Sequence, residues 1–217
     1  MNNFLYLYLA AVTALVISEY SAYNKMRHLA IKSIASTLFF TYALLSYFSY
    51  KSECGLIILL ALLLCLTGDV LLGLFDDKNP QYFTYGVLSF LLAHGVFFIA
   101  FTKISTTSIL DLVLIIAIAG VSYCLTFLKQ LDVKEVKKLL VVYSIFLSML
   151  ISKGIVIFIE NKVANSAIIF TAAILFYLSD IILLFIFFKR KKVRILPFFN
   201  IITYYTATIL LATAIKF

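Results

Sequence analysis

The sequence is short of charged residues. Only 13% of its 217 residues are Asp, Glu, Lys or Arg, whereas soluble domains carry about 25%. Hydrophobic residues make up 64% of the chain. This balance excludes a soluble globular protein and predicts an integral membrane protein.

Cysteine is scarce as well. Cys54, Cys65 and Cys124 are an odd number with no disulfide-like or metal-like spacing, and the last two lie inside apolar runs. We therefore expect them to be packing residues. One intramembrane histidine and separated acids fall short of a convincing metal set, so we expect no metal and no cofactor. His94 with two aspartates is the one metal-binding alternative left open.

Eight apolar runs approach the length of about 20 residues that crosses about 30 Å of hydrocarbon. The first has no basic residue before its core and no cleavage pattern after it, so it is interpreted as a span rather than a signal peptide. The sequence thus predicts an all-α integral membrane protein, a single bundle of eight transmembrane helices. The predicted spans cover residues 3–18, 30–50, 54–74, 82–102, 109–128, 139–159, 164–188 and 196–215.

The basic residues predict the orientation of these spans. Thirteen Lys and Arg follow spans one, three, five and seven, whereas the other side has four. Because basic loops stay in the cytoplasm, we expect both termini outside, in a bacterial inner (plasma) membrane. The net charge of +8 suits anionic headgroups on the cytoplasmic face. We therefore expect membrane lipids, and no nucleic acid, as partners.

Two aspartates lie inside apolar runs. Asp69 follows Gly68 and Asp180 follows Ser179, and aliphatic residues follow each acid. An acid within a span costs roughly 2.5 to 3.5 kcal/mol on insertion scales, so it usually faces a cavity or a partner and indicates a functional site. Both aspartates fall in the cytoplasmic half of their spans.

Other polar residues are predicted at the same depth. Lys32 either snorkels to the interface or turns inward to a phosphate, and Glu19 lies at a level where it could pair with Lys32. Lys153, in the outer half of span six, either lines a cavity or snorkels outward. The candidate site residues at or near the level of the aspartates are Glu19, Arg27, Lys32, Ser179, Asn200, Tyr204 and Tyr205, with His94 slightly deeper.

An internal repeat is a further hypothesis. Asp69 and Asp180 lie on spans three and seven and are 111 residues apart, as are His94 and Tyr205 on spans four and eight. This offset favours two four-helix halves in the same orientation.

Polarity alone leaves two functions equally open. Two acids at one depth suit general acid–base catalysis. A low-dielectric site raises the pKa of one carboxyl group while leaving its partner able to ionise, so one can donate a proton and the other can accept one. The same acids suit a proton-coupled transporter or a lipid-binding membrane protein.

Four ordered motifs add a resemblance to a known family. They are Gly68-Asp69-Val70-Leu71-Leu72, Phe83-x-x-Gly86-x-x-x-Phe90-x-x-Ala93-His94, Phe176-x-x-Ser179-Asp180 and Tyr204-Tyr205-x-Ala207. Together they resemble the YhhN family, which includes the animal lysoplasmalogenases. The resemblance implies a membrane hydrolase that cleaves the vinyl-ether bond of lysoplasmalogens to a fatty aldehyde and a glycerophospho-alcohol. Phe97 and Thr208 depart from the family, which usually has Tyr and Gln there.

The residues suit this chemistry, which needs a carboxylic acid and a carboxylate. One of Asp69 and Asp180 would donate a proton, and the other would stabilise the cation and activate water; the sequence leaves their order open. His94 and Tyr204 or Tyr205 would orient these groups, while Lys32 and Arg27 would hold the phosphate of a lysophospholipid substrate. Glu19, Ser179 and Asn200 complete the predicted binding set.

Overall fold

The protein folds into helices joined by short loops. A computed structural model of the protein describes residues 2–21, 24–76, 78–133, 136–160 and 166–216, and contains no strand within these ranges. The predicted all-α class is therefore confirmed. The helices are α1 (Asn2–Tyr20), α2 (Lys25–Tyr50), α3 (Glu53–Leu74), α4 (Gln81–Thr102), α5 (Ile109–Leu125), α6 (Lys137–Glu160), α7 (Ser166–Phe188) and α8 (Leu196–Thr213), which a 3₁₀ turn, Ala214–Lys216, extends.

Within the described residues, six of the helices are long and apolar enough to cross a membrane. They are α2, α3, α4, α6, α7 and α8. The apolar parts of α1 and α5 are shorter, Phe4–Tyr20 and Ile109–Leu125. Length and composition thus support a membrane protein, while the full count of eight spans stays a prediction.

Helix α5 ends earlier than its apolar run. It stops at Leu125, before the predicted end at residue 128, because the chain turns through Thr126 and then docks on the end of α7. In that docking Asp132 N donates to Phe188 O at 2.9 Å. The start of α5 is a capping box formed by Ser108 and Asp111, as their spacing indicates. Residues 164 and 165 of predicted span seven lie outside the described residues.

The helix neighbours repeat between the two halves of the chain. In the first half α1 packs on α2, α2 on α3 and α3 on α4; in the second half α5 packs on α6, α6 on α7 and α7 on α8. The links between halves also correspond, since α4 packs on α6 and α8 packs on α2. These pairings support the hypothesis of two four-helix halves.

Two glycines allow helices to approach closely. A Cβ on Gly68 would lie 2.7 Å from Cε2 of Phe90, so the ring of α4 packs directly on the backbone of α3. A Cβ on Gly154 would lie 2.7 Å from the Cβ of Ala173, which brings α6 against α7. Small residues at helix interfaces are typical of membrane proteins, where close packing drives association. The Gly68 contact also fixes the position of the neighbouring Asp69.

Candidate functional site

A polar cavity lies at one end of the bundle, where α1, α3 and α7 end and α2 and α8 begin. Its volume is about 270 Å³, and both Asp69 and Asp180 line it. The structure therefore brings the two predicted acids to one space, although 111 residues separate them in sequence. The polar lining residues are Glu19, Lys25, His28, Lys32, Asp69, Ser179, Asp180, Asn200, Tyr204 and Tyr205.

Asp69 is buried and has one cationic and two hydroxyl partners. Lys32 Nζ lies 3.1 Å from its Oδ1. Ser36 Oγ and Tyr204 OH donate to its Oδ2 at 2.6 and 2.7 Å. Tyr205 OH lies 3.1 Å from Ser36 Oγ. Both oxygens of this acid are therefore in contact with hydrogen-bond donors.

Asp180 has different partners. Tyr143 OH donates to its Oδ2 at 2.7 Å, and Nε2 of buried His94 lies 3.1 Å from the same oxygen. The Nε2 contact lacks hydrogen-bond alignment, and Nε2 has no other partner among the described residues. No lysine or arginine of the described residues pairs with Asp180.

The histidine ring indicates where a proton resides. Its Nδ1 lies 2.6 Å from the carbonyl oxygen of Phe90, which can only accept, so Nδ1 carries a hydrogen. Nε2 is then the ring atom that faces Asp180, and it lies 3.1 Å from Oδ2.

The two acids occupy positions that the repeat hypothesis makes equivalent, but their partners differ. Lys32 on α2 pairs with Asp69 on α3, and Tyr143 on α6 pairs with Asp180 on α7. The separations 180 − 69 and 143 − 32 are both 111 residues. One half thus supplies a cation to its acid where the other half supplies a neutral hydroxyl.

The remaining predicted residues divide between the cavity and its surroundings. Asn200 Nδ2 donates to Ser179 O at 2.9 Å and to Ser179 Oγ at 3.0 Å, and both residues line the cavity. Glu19 also lines it but lies 3.6 Å from His28 Nδ1; the ion pair of Lys32 is with Asp69. Arg27 is exposed, contacts Ser21 Oγ at 3.3 Å and does not line the cavity.

Sequence reasoning missed Ser36 and Tyr143. Ser36 follows Lys32 by one helical turn and so faces the same neighbour, a relation that the sequence contained. Tyr143 lies 111 residues after Lys32, so applying the repeat offset to Lys32 would have found it. Without that offset, a single tyrosine in an apolar helix is interpreted as a packing residue of the core.

A second, apolar pocket adjoins the polar cavity. Its volume is about 60 Å³, and it lies among α4, α5, α6 and α7. Asp180, Leu183 and Phe187 line both spaces, and Tyr143 faces the apolar one. Asp180 therefore lies at the boundary between a polar and an apolar compartment, whereas Asp69 lines the polar compartment.

Comparison with protein families assigns the chain. The YhhN family model matches residues 27–215, which is most of the sequence and includes all four motifs. The chain belongs to the YhhN family. Comparison with curated proteins and with solved structures gives no match.

The two departures from the usual YhhN pattern are buried away from the acids' hydrogen bonds. Phe97 stacks on Phe101, with ring centroids 6.4 Å apart, and packs edge-on against Phe176. Thr208 Oγ1 donates to Tyr205 O at 3.1 Å. Neither Phe97 nor Thr208 of this YhhN protein is among the described hydrogen-bond partners of Asp69 or Asp180.

Lys153 has a partner that its sequence position did not indicate. It is fully buried, and its Nζ lies 3.1 Å from both Asp111 Oδ2 and Thr106 O. Lys153 neither snorkels outward nor lines the polar cavity. Asp111, which also caps α5, thus pairs with this lysine, and its Oδ1 has no hydrogen-bond partner among the described residues.

A second lysine fixes the rim of the cavity. Lys25 Nζ pairs with Asp76 Oδ2 at 2.8 Å and donates to Leu74 O at 3.0 Å. The hydrogen bond from Lys25, with those from Asn79, lowers the pKa of the exposed Asp76 carboxyl to about 2. Asp76 is thus ionised at neutral pH and anchors Lys25 to the α3–α4 loop.

In the described part of the chain, no three His, Cys, Asp or Glu side chains lie close enough together to bind a metal ion. His94 contacts Asp180, while Asp69 pairs with Lys32 instead. The alternative of His94 with two aspartates therefore has no geometry to support it in these residues. The arrangement is suited to proton transfer by carboxyl groups.

Proposed function

We propose that this YhhN protein is an intramembrane hydrolase that cleaves the vinyl-ether bond of lysoplasmalogens. One observation carries the proposal: one cavity is lined by two buried carboxyl groups, one 3.1 Å from a lysine and the other 3.1 Å from a histidine. Vinyl-ether hydrolysis needs a proton donor and a carboxylate. Membership of the YhhN family supports the same reaction.

The different partners of the acids assign their roles in the proposal. Asp180, with His94, adds its proton to the alkene carbon that does not bear oxygen, which leaves an oxocarbenium ion. Asp69, ionised beside Lys32, stabilises this cation and accepts a proton from the attacking water. The resulting hemiacetal loses its hydroxyl proton as the bond to the glycerol oxygen breaks. That oxygen takes up a proton, so the products are a fatty aldehyde and an alcohol.

The apolar pocket supports this order of acids. In an alkenyl ether, the carbon that is protonated lies on the hydrocarbon side of the ether oxygen. The donor should therefore lie nearer the tail, and Asp180 is the acid that borders the apolar pocket. Asp69, which lines the polar cavity but not the apolar pocket, is left on the headgroup side.

The membrane arrangement is part of the proposal. We propose eight spans with both termini outside and the site in the cytoplasmic half, because the basic loops lie at the cavity end of the bundle. Four cavities of the described chain lie at that end. A transporter would need access from both faces, whereas in the outer half Lys153 is already paired with Asp111.

The test is release of fatty aldehyde from an alkenyl-lysophospholipid by detergent-purified protein. Asp69→Asn and Asp180→Asn should each lower kcat by about 10²- to 10⁴-fold, the usual contribution of general acid–base groups. Asp132→Asn removes an exposed loop carboxylate outside the polar cavity and should leave kcat unchanged. Absence of aldehyde from the wild-type protein across headgroups would refute the proposed reaction.

Heavy water tests the proton transfer itself. If a solvent-derived proton is added to the alkene carbon, aldehyde formed in D₂O carries one deuterium on the carbon next to its carbonyl group. Mass spectrometry of the trapped aldehyde measures this label. An unlabelled aldehyde would contradict protonation at carbon even if hydrolysis were observed.

A further inference from the structure

A basic vestibule adjoins the polar cavity. Its volume is about 340 Å³, and it lies between the end of α1 and the loop that joins α7 to α8. Glu19, Ile186 and Pro197 line both the vestibule and the cavity, so the two spaces share a wall. Lys192 and Arg194 line the vestibule but not the cavity.

The loop that carries these cations is held in place. Tyr20 OH donates to the carbonyl oxygen of Arg194 at 2.8 Å, which ties the loop to the end of α1. Lys192 and Arg194 are exposed, and neither forms an ion pair within the described residues. The one acid of the vestibule, Glu19, lies 3.6 Å from His28 Nδ1. Two cations are therefore available to an anion.

We propose that Lys192 and Arg194 bind the phosphodiester of a lipid headgroup while its hydrocarbon portion reaches Asp180. This assignment rests on the proposed hydrolase function and replaces Arg27 as the phosphate contact. Three compartments then follow one another: the basic vestibule, the cavity with both acids, and the apolar pocket. A lysophospholipid has the same order of groups: phosphate, then glycerol with its ether oxygen, then hydrocarbon.

The loop provides a matched control. Arg190→Gln/Lys191→Gln removes two positive charges from the same loop, and neither residue lines the vestibule. Lys192→Gln/Arg194→Gln removes two charges that do. Basic residues near anionic lipid contribute about 1 kcal/mol each, so the vestibule double variant should bind roughly 10- to 30-fold more weakly.

Binding is measured separately from activity. The probe is a saturated alkyl-lysophosphocholine, which has no vinyl-ether bond to cleave, titrated into full-length protein in an uncharged detergent and followed by calorimetry. The vestibule double variant should lose affinity and the control double variant should not. An alkylglycerol without phosphate should bind both variants as it binds the wild type.

Three outcomes would overturn the assignment. The vestibule double variant could bind the lipid as tightly as the wild type, or both double variants could lose the same affinity. The third outcome is displacement of the lipid by inorganic phosphate at concentrations comparable to that of the lipid. The last would indicate a site for free anion. If alkyl-lysophosphocholine binding depends on Lys192 and Arg194 but no aldehyde is released from the alkenyl analogue, the hydrolase proposal fails while the headgroup site stands.

Discussion

Replacement of Lys32 by methionine is the sharpest test of the roles assigned to the two acids. Methionine keeps an unbranched apolar side chain but removes the ammonium group that lies 3.1 Å from Asp69 Oδ1. Ser36 and Tyr204 would continue to donate to Asp69. The substitution therefore changes the charge beside Asp69 without removing its hydroxyl partners.

The expected size of the effect follows from distance and burial. At 3.1 Å the attraction between opposite unit charges is about 5 kcal/mol at an effective dielectric constant of about 20. The side chain of Lys32 is 21% exposed, so water screens part of this. Breaking buried pairs usually costs about 3–5 kcal/mol. We take the lower value, about 3 kcal/mol, which corresponds to roughly a hundredfold change.

The assay is the rate of aldehyde release at neutral pH. The proposed mechanism needs Asp69 as a carboxylate, and Lys32 is its cationic partner, so kcat of Lys32→Met should fall by roughly a hundredfold. Arg27→Met is the matched control: it removes one positive charge from the same helix at a position outside the cavity, and should leave kcat unchanged.

A Lys32→Met variant with the wild-type kcat would refute the role assigned to Asp69. Tyr143→Phe completes the comparison, since it removes the equivalent partner of Asp180 but no charge. It should lower kcat by only roughly 2- to 10-fold, the usual loss for a hydrogen bond between uncharged groups. If Tyr143→Phe instead lowers kcat by a hundredfold and Lys32→Met by tenfold or less, the roles are reversed.

Two further predictions concern packing and the outer half. Gly68→Ala should lower the free energy of unfolding by about 1–3 kcal/mol, because its Cβ would lie 2.7 Å from the Phe90 ring. Gly120→Ala should be neutral or slightly stabilising, because a Cβ there would meet no described atom of the surrounding protein within 4 Å. Thermal unfolding followed by circular dichroism measures both effects. Lys153→Met should destabilise by about 3–5 kcal/mol, and adding Asp111→Asn should restore most of the loss. Equal melting temperatures for the single and double variants would contradict a pairwise contact.

The candidate site was partly predictable because charge within an apolar run is conspicuous. Asp69, Asp180 and Lys32 stood out for that reason, and they line one cavity. Ser179 and Asn200 were placed at the correct level and contact each other. Arg27 lies outside this cavity and contacts Ser21, because proximity in sequence to Lys32 does not determine on which side of the helix a side chain lies.

The partners of the acids could not be predicted in the same way. Tyr143 and Ser36 are residue types that fill apolar helices without any function, so neither stands out in composition or periodicity. Lys153 shows the converse: an isolated base deep in a span suggested a cavity, but the structure provides Asp111 from the neighbouring helix. The sequence shows which charged side chains are costly to bury, but the group that compensates each charge comes from another helix.

The sequence by itself determined the all-α class, the positions of the helices and the presence of two costly acids, because hydrophobicity and helix length are local properties of the chain. Only the tertiary structure decided that Lys32 faces Asp69, that His94 faces Asp180 and that a basic vestibule adjoins the cavity. These relations depend on how α2, α4 and α8 pack against α3 and α7. Helix packing fixes which side chains meet, and therefore which partners surround each acid.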